Sequence, residues 1–193
     1  MDGRRHASTD AAIRDLVDKE SIREVLYTCC RALDRCDAEL LKSLYHPDGF
    51  NAHGPFAGNA HEFCDWVIPR LRAHQSIRHS IGNVLVDIAG DRAFCESQYQ
   101  VSTRTTSPEG ELVDTGSEGR YLDVLVRCED LQWRIFHRLV VNDKRWTRPV
   151  TTHDASAPAP ADPNTGPRAD RSDPVYRGFG IMDLRSPSAP RDQ

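Results

Sequence analysis

Ser76-Ile77-Arg78-His79-Ser80-Ile81-Gly82-Asn83-Val84-Leu85-Val86 is the stretch on which the reading of this chain turns. Its aliphatic residues recur with a period of two, which predicts a strand. Regular alternation places His79, Ile81, Asn83 and Leu85 on one face. An imidazole between Ile81 and Leu85 on an inward face is suited to proton transfer near neutral pH. The plainer alternative is a core or surface histidine with a satisfied hydrogen bond.

C-terminal to this stretch the pattern predicts four long strands, over about 76–89, 91–106, 112–128 and 131–145. Ala89-Gly90-Asp91, Ser107-Pro108-Glu109-Gly110 and Glu129-Asp130 are the turns between them. Adjacent long strands joined by such short turns are antiparallel.

N-terminal to it the period is helical. Ile13, Leu16, Val17, Ile22, Val25, Leu26, Cys29 and Leu33 form one stripe, either as a single helix to about Asp34 or as a short helix and a longer one restarted at Asp18. Asp37 caps a second helix whose buried face is Leu40, Leu41 and Leu44, and His46-Pro47-Asp48-Gly49 ends it. A short extended piece covers Phe50 to Phe56. Asn59, with Glu62 three residues on, opens a third helix bearing Phe63, Trp66, Val67 and Leu71. Pro69 is expected to kink that helix or end it early. Helices followed by a meander predict an α+β fold, a curved antiparallel sheet packed on three N-terminal helices.

Eight of the 12 prolines lie from Pro149 onward. The expected organisation is a flexible N-terminus over 1–9, one domain over 10–148, and a Pro-rich tail over 149–193. The stretch from Thr151 cannot form a core. Tyr176, Phe179, Ile181, Met182 and Leu184 make a small apolar island, so residues 176–184 either stay free or dock on this domain or on a neighbouring subunit.

Of 193 residues, 28% are charged and 38% hydrophobic, with a net charge of −4. Without a basic block or an aromatic-and-basic ladder, nucleic-acid binding has no support. The apolar runs are too short to span a membrane, and no apolar stretch follows Arg4-Arg5-His6 as a signal peptide requires. Six cysteines without a CxxC pair are read as free thiols of a cytoplasmic protein. His46, His53, His61 and His74 show no metal-ligand spacing. No glycine-rich nucleotide loop is present, so neither metal nor cofactor is expected.

The stretches Cys30-Arg31-Ala32-Leu33-Asp34-Arg35-Cys36-Asp37, Leu44-Tyr45-His46-Pro47-Asp48-Gly49, His79-Ser80-Ile81-Gly82-Asn83, Ala89-Gly90-Asp91-Arg92-Ala93, Gly119-Arg120-Tyr121 and Trp133-Arg134-Ile135-Phe136-His137-Arg138 follow one another in this order. Over residues 15 to 148 the chain thereby resembles the SnoaL-like branch of the nuclear transport factor 2-like superfamily. That resemblance implies a cone-shaped α+β barrel around a deep apolar pocket. It is specific for the fold and much less so for function, because the superfamily holds dehydratases, isomerases, cyclases, a dehydrochlorinase, dioxygenase small subunits and non-catalytic binders.

The resemblance also implies a catalytic pair. His79 and Asp34 stand where dehydratase and dehydrochlorinase members carry a histidine on the first long strand and an aspartate at the end of the first helix. A carboxylate on one imidazole nitrogen fixes the tautomer and leaves the other nitrogen as base. Arg138 matches the dehydrochlorinase arginine on the last strand, there to hold Asp34 ionised or to stabilise a departing anion. Where the dehydrochlorinase has a lysine and related dehydratases a tyrosine, this chain has Cys29 and Cys30. Tyr27, Tyr45 and Tyr99 are the alternative hydroxyls. Tyr27, Cys30, Tyr45, Trp66, Asn83 and Tyr99 complete the expected substrate site.

The leading expectation is a cofactor-independent lyase of dehydratase or hydratase type, acting on a hydrophobic ring-containing molecule such as a steroid or polyketide. The alternatives are an isomerase or polyketide cyclase using the same base, and a non-catalytic pocket or assembly subunit like the small subunit of a ring-hydroxylating dioxygenase. Strands whose outer faces still carry Phe, Val and Leu predict a homodimer or homotrimer.

Overall fold

A computed structural model describes residues 9–151, 173, 175 and 176. Helix α1 (Thr9–Asp34) is one continuous helix. Only its second half carries the buried stripe, Ile22, Leu26, Cys29, Cys30, Ala32 and Leu33. Ile13, Leu16 and Val17, expected on that stripe, are more than half exposed among the described residues. Helix α2 (Ala38–Ser43) is capped by Asp37, which accepts from the Leu40 N–H at 3.2 Å. Helix α3 (Ala60–Arg72) is capped by Asn59, which accepts from the N–H groups of His61 and Glu62. Pro69 does not end α3 early. It sits exposed in the final turn, and the helix runs on to Arg72.

The strands are β1 (Tyr45–His53), β2 (Phe56–Asn59), β3 (Ser76–Ala89), β4 (Arg92–Thr106), β5 (Leu112–Arg127) and β6 (Trp133–Pro149). They form one sheet in the order β2-β1-β6-β5-β4-β3. His46 to Gly49, expected to end a helix, instead open β1. The β3–β6 meander is antiparallel, whereas β1 joins β6 in parallel, pairing Asn51 with Arg138. The sheet curls around the helices without closing, so β2 and β3 remain its edges.

Bulges set the curl. Between Gly82 and Val84 the β3–β4 register slips at Asn83, which adopts a φ of +27°. The slip moves the inward phase from Ile77, His79 and Ile81 to Val84, Val86 and Ile88. Asn83 and Leu85, expected on the His79 face, therefore point outward, and Leu85 is 69% exposed. A second bulge at Glu118/Gly119 presses β5 against β6, where a Cβ on Gly119 would lie 2.0 Å from the Val141 carbonyl oxygen.

The core lies between the concave face of the sheet and the three helices, with Ile22, Leu26, Leu41, Tyr45, Phe63, Leu125 and Ile135 fully buried. Asp18 clamps α1 to the sheet. It accepts two bonds from Arg127 (2.7 and 2.6 Å) and one from the Trp133 indole (3.2 Å). From that anchor the helix runs about 24 Å to Asp34 at 1.5 Å per residue, which brings its end beside β3. No helix among the described residues is long and apolar enough to cross a membrane.

Candidate active site

Asp34 ends α1 and reaches His79, the second inward position of the β3 edge. Its carboxylate accepts from the backbone N–H of His79 at 2.9 and 3.2 Å and from His79 Nδ1 at 2.7 Å. One carboxylate thus holds both the main chain and the ring. Both side chains are largely buried, at 7% exposure for His79 and 14% for Asp34. With Nδ1–H donating to the carboxylate, the lone pair of His79 Nε2 is left as the basic position.

This pair opens on a pocket of about 300 Å³ lined by Tyr27, Cys30, Arg31, Arg35, Ile81 and Val175. It is not the largest hollow of the molecule. A groove of about 1030 Å³ lies elsewhere, between α2, β1 and the β5–β6 turn, and Tyr45 lines that groove instead. Tyr27, half-exposed on α1, carries the only hydroxyl among the described residues that line the His79 pocket. The segment at Asp173–Tyr176 borders the same pocket. Arg35 forms an ion pair with Asp173 at 2.8 Å, the Tyr176 hydroxyl donates to Asp37 at 3.1 Å, and Arg31 stacks 5.1 Å from the Tyr176 ring. Phe179, Ile181, Met182 and Leu184 lie outside the described residues.

Arg138 is inward and 3% exposed, but its partner is not Asp34. It donates from Nε and Nη2 to the two oxygens of Asp123 at 2.7 and 2.8 Å, and from Nη1 to Cys29 Sγ at 3.3 Å. The Tyr121 ring covers the guanidinium at 4.3 Å. Burial opposes the charge, but the Asp123 carboxylate prevails, and the guanidinium is held well above its ordinary range. Asp123 faces Arg138 directly across the β5–β6 ladder, so strand register makes this pairing.

The other expected site residues are dispersed. Tyr45 is buried in the core and its hydroxyl accepts from Asn51 Nδ2 at 2.9 Å. Trp66 packs on Phe56 and Phe63, with Arg70 over its ring. Tyr99 stacks on Tyr121 at 4.4 Å and donates to Asn142 Oδ1 at 2.7 Å. Asn83 is exposed at the bulge, 3.4 Å from Gln98 Oε1. Burial pushes the Cys29 and Cys30 thiols upward, which keeps them protonated and makes them packing groups rather than nucleophiles.

Sequence reasoning missed Asp123, Asn51 and the interior position of His53. A signal for Asp123 was present, since it alternates in phase with Tyr121 and Leu125, and an acid on an inward face demands a cation. Asn51 Oδ1, Ser97 Oγ and His53 Nδ1 are buried without a hydrogen-bond partner among the described residues. The cone interior is therefore more polar than the sequence implied. Among the described residues no group of three His, Cys, Asp or Glu side chains gathers as a metal site.

No curated protein matches the chain in sequence. Solved structures do match in fold. A candidate scytalone dehydratase from Novosphingobium aromaticivorans superposes with a TM-score of 0.61 at 19% identity, over 71% of this chain and 90% of that one. A hexachlorocyclohexane dehydrochlorinase of type 2 gives 0.61 at 11% identity, over 80% and 99%. A nuclear transport factor 2-like superfamily protein from Salmonella enterica gives 0.57 at 16% identity, over 69% and 92%. The family model of the SnoaL-like domain spans residues 14–139, from the first turns of α1 through the strand that carries Arg138, and this chain belongs to that family.

Proposed function

We propose that this chain is a cofactor-independent lyase of dehydratase or hydratase type, with His79 as general base and Asp34 as the residue that orients it. The observation that carries the reading is the 2.7 Å contact between His79 Nδ1 and Asp34 Oδ1 at the wall of a pocket. Membership of a family whose structural neighbours include a candidate scytalone dehydratase and a dehydrochlorinase supports a lyase or isomerase-type role.

His79 Nε2 takes a proton from a carbon acidified by a neighbouring carbonyl. The C–H electrons become the new C=C bond as the C–O bond of the adjacent carbon breaks. The hydroxyl leaves as water with a proton from the Tyr27 hydroxyl, and the imidazolium then returns its proton to Tyr27 through solvent. Asp34 stabilises the imidazolium while it exists. General-base catalysis of this kind contributes about 10²–10⁴ in rate.

A pocket of about 300 Å³ lies at the small end of ligand sites. The test is to incubate the protein with one- and two-ring β-hydroxy ketones and look for loss of water by mass spectrometry. His79→Ala is expected to abolish turnover. Asp34→Asn is expected to lower it severely with the fold retained, because the amide favours the wrong tautomer. A His79→Ala variant with full activity overturns the assignment. A product of unchanged mass identifies the same base working as an isomerase or cyclase.

A further inference from the structure

Two imidazoles have no part in the His79–Asp34 pair. His53 ends β1 and His74 follows α3, and both line a pocket of about 530 Å³ with residues of β4, β5 and β6. Each keeps a buried Nδ1 without a hydrogen-bond partner. Because these atoms are closed off from solvent, the two rings meet the pocket through their other edges.

The third observation is Arg145, which lines the same pocket. On these strands Arg104, Arg120, Arg127, Arg134, Arg138 and Arg148 each hold an aspartate within 3.3 Å. Arg145 has no carboxylate partner among the described residues. Asn142 adds a donor, because its Oδ1 is occupied by the Tyr99 hydroxyl and its amide N–H₂ remains. No Asp or Glu lines the pocket, while Pro55, Val101 and Trp146 supply apolar wall. A cationic fork, an amide donor and two imidazoles without a nearby acid select an anion with an apolar body. The planar guanidinium matches a carboxylate.

We propose that this pocket binds a small carboxylate-bearing molecule, held by Arg145 and the Asn142 amide with the His53 and His74 rings in its wall. Neither His79 nor Asp34 lines this pocket, so the proposal does not require the lyase assignment. Burial, with the charges of Arg138, His79 and Arg145, keeps the His53 ring neutral, and burial does the same for His74. A carboxylate beside them opposes those effects, so binding draws protons onto the imidazoles.

The test is titration of the full chain with benzoate, followed by the imidazole NMR signals of His53 and His74. It is paired with calorimetry in two buffers of different ionisation enthalpy. Saturable shifts of both rings and net proton uptake are expected. Arg145→Gln, a change at an exposed position, is expected to weaken binding by about tenfold or more. Asp34→Asn is expected to leave it within about twofold. Absence of saturable binding, or undiminished binding to Arg145→Gln, overturns the site. Loss of binding in Asp34→Asn moves the ligand to the other pocket and overturns it equally. Inorganic phosphate run in parallel tests the ligand class: phosphate binding without benzoate binding overturns the carboxylate assignment.

Discussion

Replacing His53 by glutamine should flatten the dependence of stability on pH between neutrality and about pH 4.5. In the folded protein burial lowers the His53 imidazole from 6.5 to about 4, helped by the charges of Arg138, His79 and Arg145. The unfolded chain therefore binds a proton in this window that the folded chain refuses. For a group depressed in this way, the full stability is present above the unfolded value near 6.5. It is lost as pH falls toward the folded value. One pKa unit corresponds to about 1.4 kcal/mol, so the whole interval is worth about 3 kcal/mol, and about 2 of these are lost by pH 4.5. The ring is stacked on Phe63 at 5.1 Å and mostly covered, so solvent screening removes little of this. Urea unfolding of the wild type and of His53→Gln, each at about pH 7 and about pH 4.5, measures the effect. The fall in stability should be about 2 kcal/mol smaller in the variant. Carboxylates such as Asp18 and Asp114, held low by hydrogen bonds from Arg127 and Arg104, titrate in both proteins and cancel. Parallel pH profiles, or an imidazole that NMR shows protonated at about pH 6 in the native protein, refute the reasoning.

Asp123→Asn should destabilise the fold by about 3–5 kcal/mol, seen as a lower urea midpoint, because Arg138 is left buried without its counter-charge; a loss under about 1 kcal/mol shows instead that solvent reaches the guanidinium. Asp173→Asn combined with Tyr176→Phe should cost only about 1 kcal/mol, seen as a small fall in the urea midpoint; a loss above about 3 kcal/mol shows instead that these contacts are integral to the fold. The outer sheet face still exposes Phe50, Phe94 and Leu139, and a homodimer or homotrimer is the expected state by light scattering. Phe94→Glu with Leu139→Glu should shift it to monomer, and a monomeric wild type at micromolar concentration contradicts the expectation.

Most of the element order is legible from sequence because it rests on local rules. Periods of two and of three to four, the side-chain caps at Asp37 and Asn59, and the turns at Gly90 and Gly110 depend on residues within a few positions of one another. The antiparallel meander follows, since short turns leave its strands no other partner. His79 and Asp34 stood out as a pair by resemblance, and the fold brings their atoms to 2.7 Å. What only the tertiary structure decided depends on which distant segments meet. The parallel β1–β6 pairing joins strands more than 80 residues apart, and no turn signal announces it. The bulge at Asn83 shifts the phase of β3 by one residue and so sends Leu85 outward, against simple alternation. Arg138 was legible as an inward charge, but its counter-ion was not, because register across the β5–β6 ladder rather than family position puts Asp123 opposite it. The unpartnered imidazoles of His53 and His74 became visible for the same reason: only the curled sheet brings the end of β1, the exit of α3 and Arg145 of β6 around one pocket.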